Sequence, residues 1–350
     1  MAARLLLVAA AGAATASPLH AAPVQPGLER PAIAARQPGR AVTLGIAAAG
    51  SRLVAVGERG VVALSDDGGQ QWRQASVPVS VTLTSVRFAR ERVGMVTGHG
   101  GVVLATTDRG ETWKVVLDGR RIADAELARA RTSGDDKAIK EAERLVADGP
   151  DKPLLDVLLQ GERRAWVVGA YGLALATEDG GASWSSWAER LDNPKTQHLY
   201  AVRKHGDTVL LAGEQGLLLL SRDGGQTFKR LESPYRGSWF TAELIDERTF
   251  VVAGLRGSAW RSVDGGASWL ALPAPPGASI TASTLTSDGK LLLASQAGFV
   301  MSVEGERVVT LDAKPVPSVA GLTTLRGQIM TVGVQGARAL PGPSAQEKTR

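Results

Sequence analysis

The stretch Val56 to Trp72, VGERGVVALSDDGGQQW, contains every local signal from which the fold can be predicted. It begins with a G-x-x-G hairpin, continues as a short apolar and β-branched run, and ends in a turn of the form S-x-D-G-G-x-x-W. Apolar runs bounded by clusters of glycine and aspartate are typical of short strands joined by tight turns.

The same phrase recurs along the chain. Complete copies begin at Thr97, Val168, Ala212 and Ala253, whereas worn copies at Ala294 and Val332 keep the hairpin and lose the turn. The hairpins are about forty residues apart except for one gap of 71. A period near forty with four strand patterns per unit predicts a β-propeller. We therefore expect an all-β, seven-bladed propeller of four-stranded blades over residues 41–341.

The long gap contains a segment of different composition, residues 118–153. It is rich in Ala, Glu, Arg, Leu and Lys, and its apolar residues Ile122, Leu127, Ile139 and Leu145 fall at helical spacing around a break at Ser133-Gly134. This pattern predicts an αα-hairpin inserted between blades 2 and 3. Such an insertion is either a solvated decoration or a docking element.

The seventh unit lacks a fourth strand pattern, because the sequence passes from Gly336 to Pro341 directly into a polar tail. Proteins avoid leaving a bare strand edge. We therefore expect residues 23–40 to form a linker with a closing strand near Ala32–Arg36 that completes the ring. Residues 342–350 are predicted to be disordered.

The N-terminus has the features of a secretory signal peptide over residues 1–22. Arg4 precedes an apolar run from Leu5 to Ala14, which is followed by Ala14-Thr15-Ala16, a small-residue cleavage motif. The run is too short to cross a bilayer comfortably. We therefore predict export, most simply to a bacterial periplasm, and no transmembrane segment in the mature protein.

Composition restricts the chemistry and the partners. The chain has no cysteine, which excludes disulfides, thiolate catalysis and Cys-ligated metals. The formal net charge is +5. Because an exported chain rarely meets nucleic acid, acidic segments of membrane proteins or anionic headgroups are the expected counterparts, unless the charge serves only solubility.

The aspartate turn predicts a structural role for its residues. The carboxylate can accept from amides of its own turn, glycine supplies a positive φ, and the aromatic residue packs on the next sheet. Equivalent turns lie far apart around a ring, so we predict no catalytic, metal or cofactor site from them. The residues concerned are Asp67 with Trp72, Asp108 with Trp113, Asp179 with Trp184, Asp223 with Phe228, and Asp264 with Trp269.

This turn resembles the Asp box, or bacterial neuraminidase repeat. With a G-x-x-G hairpin before each box and seven units, the chain resembles the photosystem II stability/assembly factor family. The resemblance implies a non-enzymatic exported propeller that acts as an assembly, stability or interaction factor for a membrane protein complex. The helical insertion and the worn sixth and seventh boxes depart from the photosynthetic members, so the resemblance does not specify the client.

The alternative is a sialidase-like glycoside hydrolase or a carbohydrate-binding propeller, because Asp boxes occur there as well. A sialidase-like site needs an arginine triad and a tyrosine nucleophile with a carboxylate partner. The only tyrosines are Tyr171, Tyr200 and Tyr235, and no R-I-P element precedes the first box. The histidines have no metal-ligand spacing. We therefore expect that the protein is not an enzyme.

Strand order predicts which face binds a partner. In a four-stranded meander, the hairpins between strands two and three share a face with the blade-to-blade connections, and the Asp boxes occupy the other face. The hairpin face collects arginine and aromatic residues, which are enriched at interfaces. We expect it to dock a membrane-embedded or membrane-associated protein onto a monomeric propeller. The proposed partner-binding residues are Arg59, His99, Tyr171 and Arg256 from the hairpins, and Tyr235, Arg236 and Trp239 from blade connections.

Overall fold

Antiparallel sheets follow one another along the chain in the computed structural model, which describes residues 26–275, 277–311 and 315–340. The predicted signal peptide and C-terminal tail lie outside these residues. Six sheets have four strands and the seventh has three among the described residues. This arrangement confirms the seven-bladed propeller.

Each of the first six blades contains four strands, and the described part of the seventh contains three. Blade 1 contains β1 (Thr43–Ala49), β2 (Arg52–Gly57), β3 (Val62–Ser65) and β4 (Arg73–Gln74); blade 2 contains β5 (Leu83–Phe88), β6 (Gly94–Gly98), β7 (Val103–Thr106) and β8 (Lys114–Leu117). Blade 3 contains β9 (Leu154–Gln160), β10 (Arg164–Gly169), β11 (Ala174–Thr177) and β12 (Ser185–Ser186); blade 4 contains β13 (Leu199–His205), β14 (Thr208–Gly213), β15 (Leu218–Ser221) and β16 (Lys229–Arg230). Blade 5 contains β17 (Trp239–Leu244), β18 (Phe250–Gly254), β19 (Ala259–Ser262) and β20 (Leu270–Ala271). Blade 6 contains β21 (Ile280–Leu285), β22 (Leu291–Ser295), β23 (Val300–Glu304) and β24 (Arg307–Thr310), and blade 7 contains β25 (Val319–Leu325), β26 (Gln328–Gly333) and β27 (Gly336–Ala339).

The core lies between neighbouring blades. Every residue of β2 is buried, because that strand is covered on both faces, and its apolar residues therefore form a continuous run. Ring closure uses the same kind of packing. Ile46 and Leu53 of blade 1 share a buried cluster with Met330 and Val332 of blade 7.

The N-terminal segment differs from the predicted closing strand. Within the described residues it does not join the sheet of blade 7. The Ala32 amide instead donates to the Val77 carbonyl (3.0 Å), and the Ala35 amide donates to Oε1 of Gln74 (2.8 Å), so Ala32–Arg36 lies along the outer edge of blade 1. A single 3-10 turn, Pro38–Arg40, then contacts β27. Proline and glycine in this turn interrupt any strand before it reaches blade 7.

The insertion is the predicted helix pair, α1 (Gly119–Ser133) and α2 (Asp136–Asp148). The Asp118 carboxylate accepts from the amide of Arg120 (3.0 Å) and caps α1. Gly134 ends that helix in the left-handed conformation at φ 69°. Ile122 packs α1 against the core between blades 2 and 3, and Ala130 is also buried. No helix among the described residues combines the length and apolarity that a bilayer crossing requires.

Backbone hydrogen bonds identify the residues of each face. On the hairpin face, the Glu58 amide donates to Val42 O (3.1 Å) at the entry to β1, and Glu214 donates likewise to His198 O (2.9 Å). On the Asp-box face, the Gly180 amide donates to Arg163 O (2.7 Å) in the turn between β9 and β10. The hairpins therefore lie with the blade connections, and the boxes lie with the turns between first and second strands.

The first glycine of the G-x-x-G hairpin lies too close to neighbouring backbone for a larger residue to replace it. A Cβ on Gly57 would lie 2.0 Å from Val42 O, and one on Gly213 would lie 2.2 Å from His198 O. The backbone that enters the blade therefore approaches too closely for a side chain at these positions. This contact explains why the motif begins with glycine.

Candidate functional site

The Asp boxes use their carboxylates within their own turns. Ser65 Oγ donates to Asp67 Oδ1 (2.8 Å), as does the Gln71 amide (3.0 Å), and the Gly69 amide donates to Ser65 Oγ (2.8 Å). The same pattern surrounds Asp108, Asp179, Asp223 and Asp264. Hydroxyl and amide donors lower the pKa of the last three far below the usual range. The boxes therefore act as rigid ionised turns.

Aromatic side chains of the boxes pack inward. Trp113 is 4% exposed and Phe228 is 7% exposed. The Trp72 and Trp113 indoles each donate to a glycine carbonyl of their own turn (2.9 Å). Trp184 and Trp269 are half-buried. Each ring thus supports the interface with the preceding blade and not, as predicted, with the next one.

The hairpin tips project from the opposite face. Arg59, Tyr171 and Arg256 occupy the second position of the turn in the left-handed conformation, at φ 56°, 55° and 59°. All three are exposed, and His99 is exposed at the first position of its hairpin. Non-glycine residues with positive φ are strained and cluster at functional sites. The tips therefore present two cations and one phenol to solvent on fixed backbone.

The segment that leads into blade 5 only partly matches the prediction that its residues bind a partner. Arg236 is exposed, and Tyr235 is half-buried. Trp239 is 0% exposed, so it cannot be part of a docking surface. As the first residue of β17, it belongs to the core cluster between blades 4 and 5, and its indole donates to Ser233 Oγ (3.1 Å). Tyr235 packs edge-on against it, with the ring centroids 5.5 Å apart.

Aromatic contacts connect the third hairpin tip to the central channel. The ring centroids of Tyr171 and His198 are 5.0 Å apart, those of His198 and Tyr200 are 6.3 Å apart, and those of Tyr200 and Phe240 are 5.3 Å apart, all edge-on. Lys152 Nζ lies 5.2 Å from the Tyr171 ring centroid. Edge-on pairs of this kind are favourable beyond their buried area. Sequence reasoning missed Tyr200 and Phe240 as members of this path.

First strands of all seven blades line the channel, which contains a cavity of about 110 Å³. Arg203 on β13 is its central cation. Its Nη1 contacts Asp156 Oδ2 on β9 at 2.5 Å, and its Nε contacts Glu243 Oε2 on β17 at 3.3 Å. Arg87 Nη2 on β5 lies 4.0 Å from Asp156 Oδ1. Two arginines and two carboxylates therefore form a balanced network across four blades.

Polar neighbours satisfy the remaining carboxylate atoms of this network. Ser85 Oγ donates to Asp156 Oδ1 (2.9 Å), and Ser283 Oγ donates to Glu243 Oε1 (2.7 Å). Burial would raise the pKa of Asp156, but the charges of Arg203 and Arg87 outweigh it and hold that pKa low. Burial opposes the charge of Arg203, yet the two carboxylates raise its pKa. The network is therefore ionised and internally compensated.

The described residues contain no group of three or more His, Asp or Glu side chains that could hold a metal ion. What the arrangement offers is recognition. One face carries exposed arginines and an aromatic path, and that path leads to a polar channel.

A family model described as photosynthesis system II assembly factor Ycf48 matches residues 136–309. Photosystem II assembly lipoprotein Ycf48 of Synechococcus sp. (strain CC9902) is 29% identical over 117 residues, which are 33% of this chain and 35% of that protein. A xyloglucanase of Paenibacillus sp. is 26% identical over 180 residues, 51% of this chain and 14% of the enzyme. The chain thus aligns with only about a third or less of each relative's length.

A solved structure of Ycf48 bound to a D1 peptide superposes with a TM-score of 0.62 at 15% identity. The superposition covers 88% of this chain and 97% of that one. The superposition shows that the two chains share the propeller fold. Because the sequence identity is only 15%, it shows the fold alone.

Proposed function

We propose that this chain, which is similar to the photosystem II assembly factor family of Asp-box propellers, is a non-enzymatic assembly or interaction factor for a membrane-associated complex. In this proposal the hairpin face docks a segment of the partner protein. One structural neighbour is Ycf48 bound to a D1 peptide, which supports a peptide-binding propeller.

One observation carries the proposal: the exposed arginines of blades 1 and 5 stand on strained hairpin tips of one face. Arg59 and Arg256 have no ion-pair partner among the described residues. Arg236 is exposed on the same side. Exposed guanidinium groups with free donors can bind carboxylates in bidentate geometry. An acidic segment of a client protein is therefore the partner chemistry that we propose.

We propose that export delivers the protein to the periplasm, where it meets the soluble side of its client. The sequence signals over residues 1–22 support this location, and the related Synechococcus protein is named as a lipoprotein. Mass spectrometry of the protein from its native host should find a mature N-terminus between Ser17 and Ala22. An intact Met1 or Ala2 terminus would contradict export.

The xyloglucanase similarity makes glycoside hydrolysis the second candidate. A glycosidase needs one carboxyl of raised pKa as general acid. Asp156, one of the two carboxyls buried in the channel, has a pKa held low by two arginines, which is the opposite of what a general acid requires. The Asp-box carboxylates are bound within their turns. These features favour the binding function.

Two assays on the purified full-length chain separate these candidates. We expect no turnover of fluorogenic sialosides or xyloglucan oligosaccharides, because both buried carboxylates of the channel are ion-paired with Arg203. We also expect cross-linking capture from host membranes to recover a membrane-associated protein. Hydrolysis that is abolished by Asp156→Asn or by a single tyrosine substitution would overturn the proposal, as would capture that recovers no membrane-associated protein.

A further inference from the structure

A cleft between blades 6 and 7 on the Asp-box face marks where an Asp box is missing. In blades 1 to 5, the glycine two residues after the box aspartate faces the preceding blade. A Cβ on Gly181 would lie 3.1 Å from Val116, one on Gly225 would lie 2.7 Å from Trp187, and one on Gly266 would lie 2.6 Å from Leu231. A box therefore fills the gap between its own blade and the one before it.

The sequence after the third strand of blade 7 has no box motif, and the strand register shows where the repeat ends. Ser65, the first residue of the box in blade 1, lies opposite Leu53 of the second strand. The equivalent second-strand residue in blade 7 is Ile329, and its carbonyl accepts from the Leu340 amide (2.9 Å). A buried leucine thus takes the position of the box serine. Residues 341–350 contain no aromatic side chain that could replace the ring.

The resulting cleft is a cavity of about 560 Å³, within the range of ligand sites. Its apolar wall contains Leu292 and Leu311 from blade 6, and Leu325 and Ile329 from blade 7. Leu311 is 39% exposed at the rim. An apolar wall open to solvent is where an added ring would bury the most surface.

The cleft also contains a backbone carbonyl equivalent to the one that accepts a hydrogen bond from the boxes of other blades. The box amide of Gly224 donates to the Asp207 carbonyl (2.9 Å), and that of Gly265 donates to the Arg248 carbonyl (2.8 Å), in the turn between first and second strands. Gly327 holds this position in blade 7 and lines the cleft. None of the described backbone amides donates to its carbonyl. The cleft therefore offers both an apolar niche and a turn acceptor.

We propose that this cleft binds a turn segment of another polypeptide that inserts an aromatic side chain, in the manner of the missing seventh box. The five boxes of the same chain specify the ligand, because each places an aromatic ring in the equivalent gap, and the boxes of blades 2 to 5 also place a turn amide there. The site lies on the face opposite the hairpins and is independent of the docking surface proposed above.

A synthetic peptide of residues 221–230, labelled for fluorescence anisotropy, provides the probe. We expect saturable binding to the full chain, and at least about tenfold weaker binding for the same peptide with Phe228→Ala, since one buried ring commonly contributes this much. In the protein, Leu311→Glu should weaken binding by a similar factor. The matched control is Val309→Glu, which changes a residue of equal exposure, 38%, outside the cleft.

The outcomes decide the proposal. If Leu311→Glu proves unstable, Leu311→Trp, which places a ring at the rim, should block the peptide while Val309→Trp should not. The site would be overturned if the peptide showed no saturable binding at millimolar concentration. It would also be overturned if Leu311→Glu and its control Val309→Glu weakened peptide binding equally. Binding of N-acetylphenylalaninamide as tight as that of the peptide would overturn the assignment of a polypeptide turn.

Discussion

The variant Arg203→Met should unfold more easily than the wild type, with a free energy of unfolding lower by about 3–5 kcal/mol. Arg203 contacts both Asp156 and Glu243, and its side chain is only 12% exposed. Its removal leaves two buried carboxylates with Arg87 as the remaining cation near Asp156. Urea denaturation monitored by circular dichroism measures the difference.

The pH dependence provides a second readout of the same network. In the wild type the folded-state pKa of Asp156 is lowered, so its stabilising contribution is present above the unfolded-state pKa and is lost as pH falls through the folded value. Without Arg203, burial favours the protonated form of Asp156. As the pH falls from about 7 to about 4, the difference in free energy of unfolding between the wild type and Arg203→Met should therefore decrease.

Arg163→Met is the control, because Arg163 is exposed on the Asp-box face and makes no ion pair among the described residues. It should change the free energy of unfolding by less than about 0.5 kcal/mol. A loss below about 1 kcal/mol for Arg203→Met at neutral pH would show that the channel network does not stabilise the ring.

The double variant Arg59→Glu with Arg256→Glu should reduce recovery of the captured partner by about tenfold or more at low salt. Both residues have positive φ, and glutamate at these tips adds no β-branching, so the backbone strain stays comparable. The difference should diminish with added salt, because exposed charges are screened. Quantitative mass spectrometry of cross-linked material measures the recovery.

A matched double reversal on the opposite face controls for net charge. Arg90 and Arg163 are exposed in turns between first and second strands, on the side of the Asp boxes. Arg90→Glu with Arg163→Glu changes the total charge equally and should leave recovery within about twofold of the wild type. Equal losses from the two double variants would indicate nonspecific electrostatic attraction.

Repetition made most of the fold predictable. The five complete copies contain the glycines that a close approach or a positive φ requires, as Gly57 and Gly69 illustrate. The helix pair was predictable because its composition interrupts the repeat. The course of residues 26–40 was not, since a short segment with Pro31 and Pro38 can pass along either edge, and only side chains such as Gln74 decide which.

The candidate site was predictable where the backbone alone determines exposure. Arg59, Tyr171 and Arg256 occupy turn tips, so their exposure follows from the hairpin. Trp239 begins a strand, and the sequence does not show which way such a ring points. The channel network was missed for a similar reason. Asp156 and Glu243 are single charges within apolar strands, Arg203 is followed by Lys204 at the polar end of its strand, and only the ring brings the three together.

Site-specific photo-cross-linking tests the central claim, that the hairpin face docks the partner, most directly. A benzophenone amino acid would replace Tyr171 at an exposed tip in one variant and Arg163 on the Asp-box face in another. We expect partner adducts from the Tyr171 variant and none above background from the Arg163 variant. Adducts from the Arg163 variant alone would contradict it.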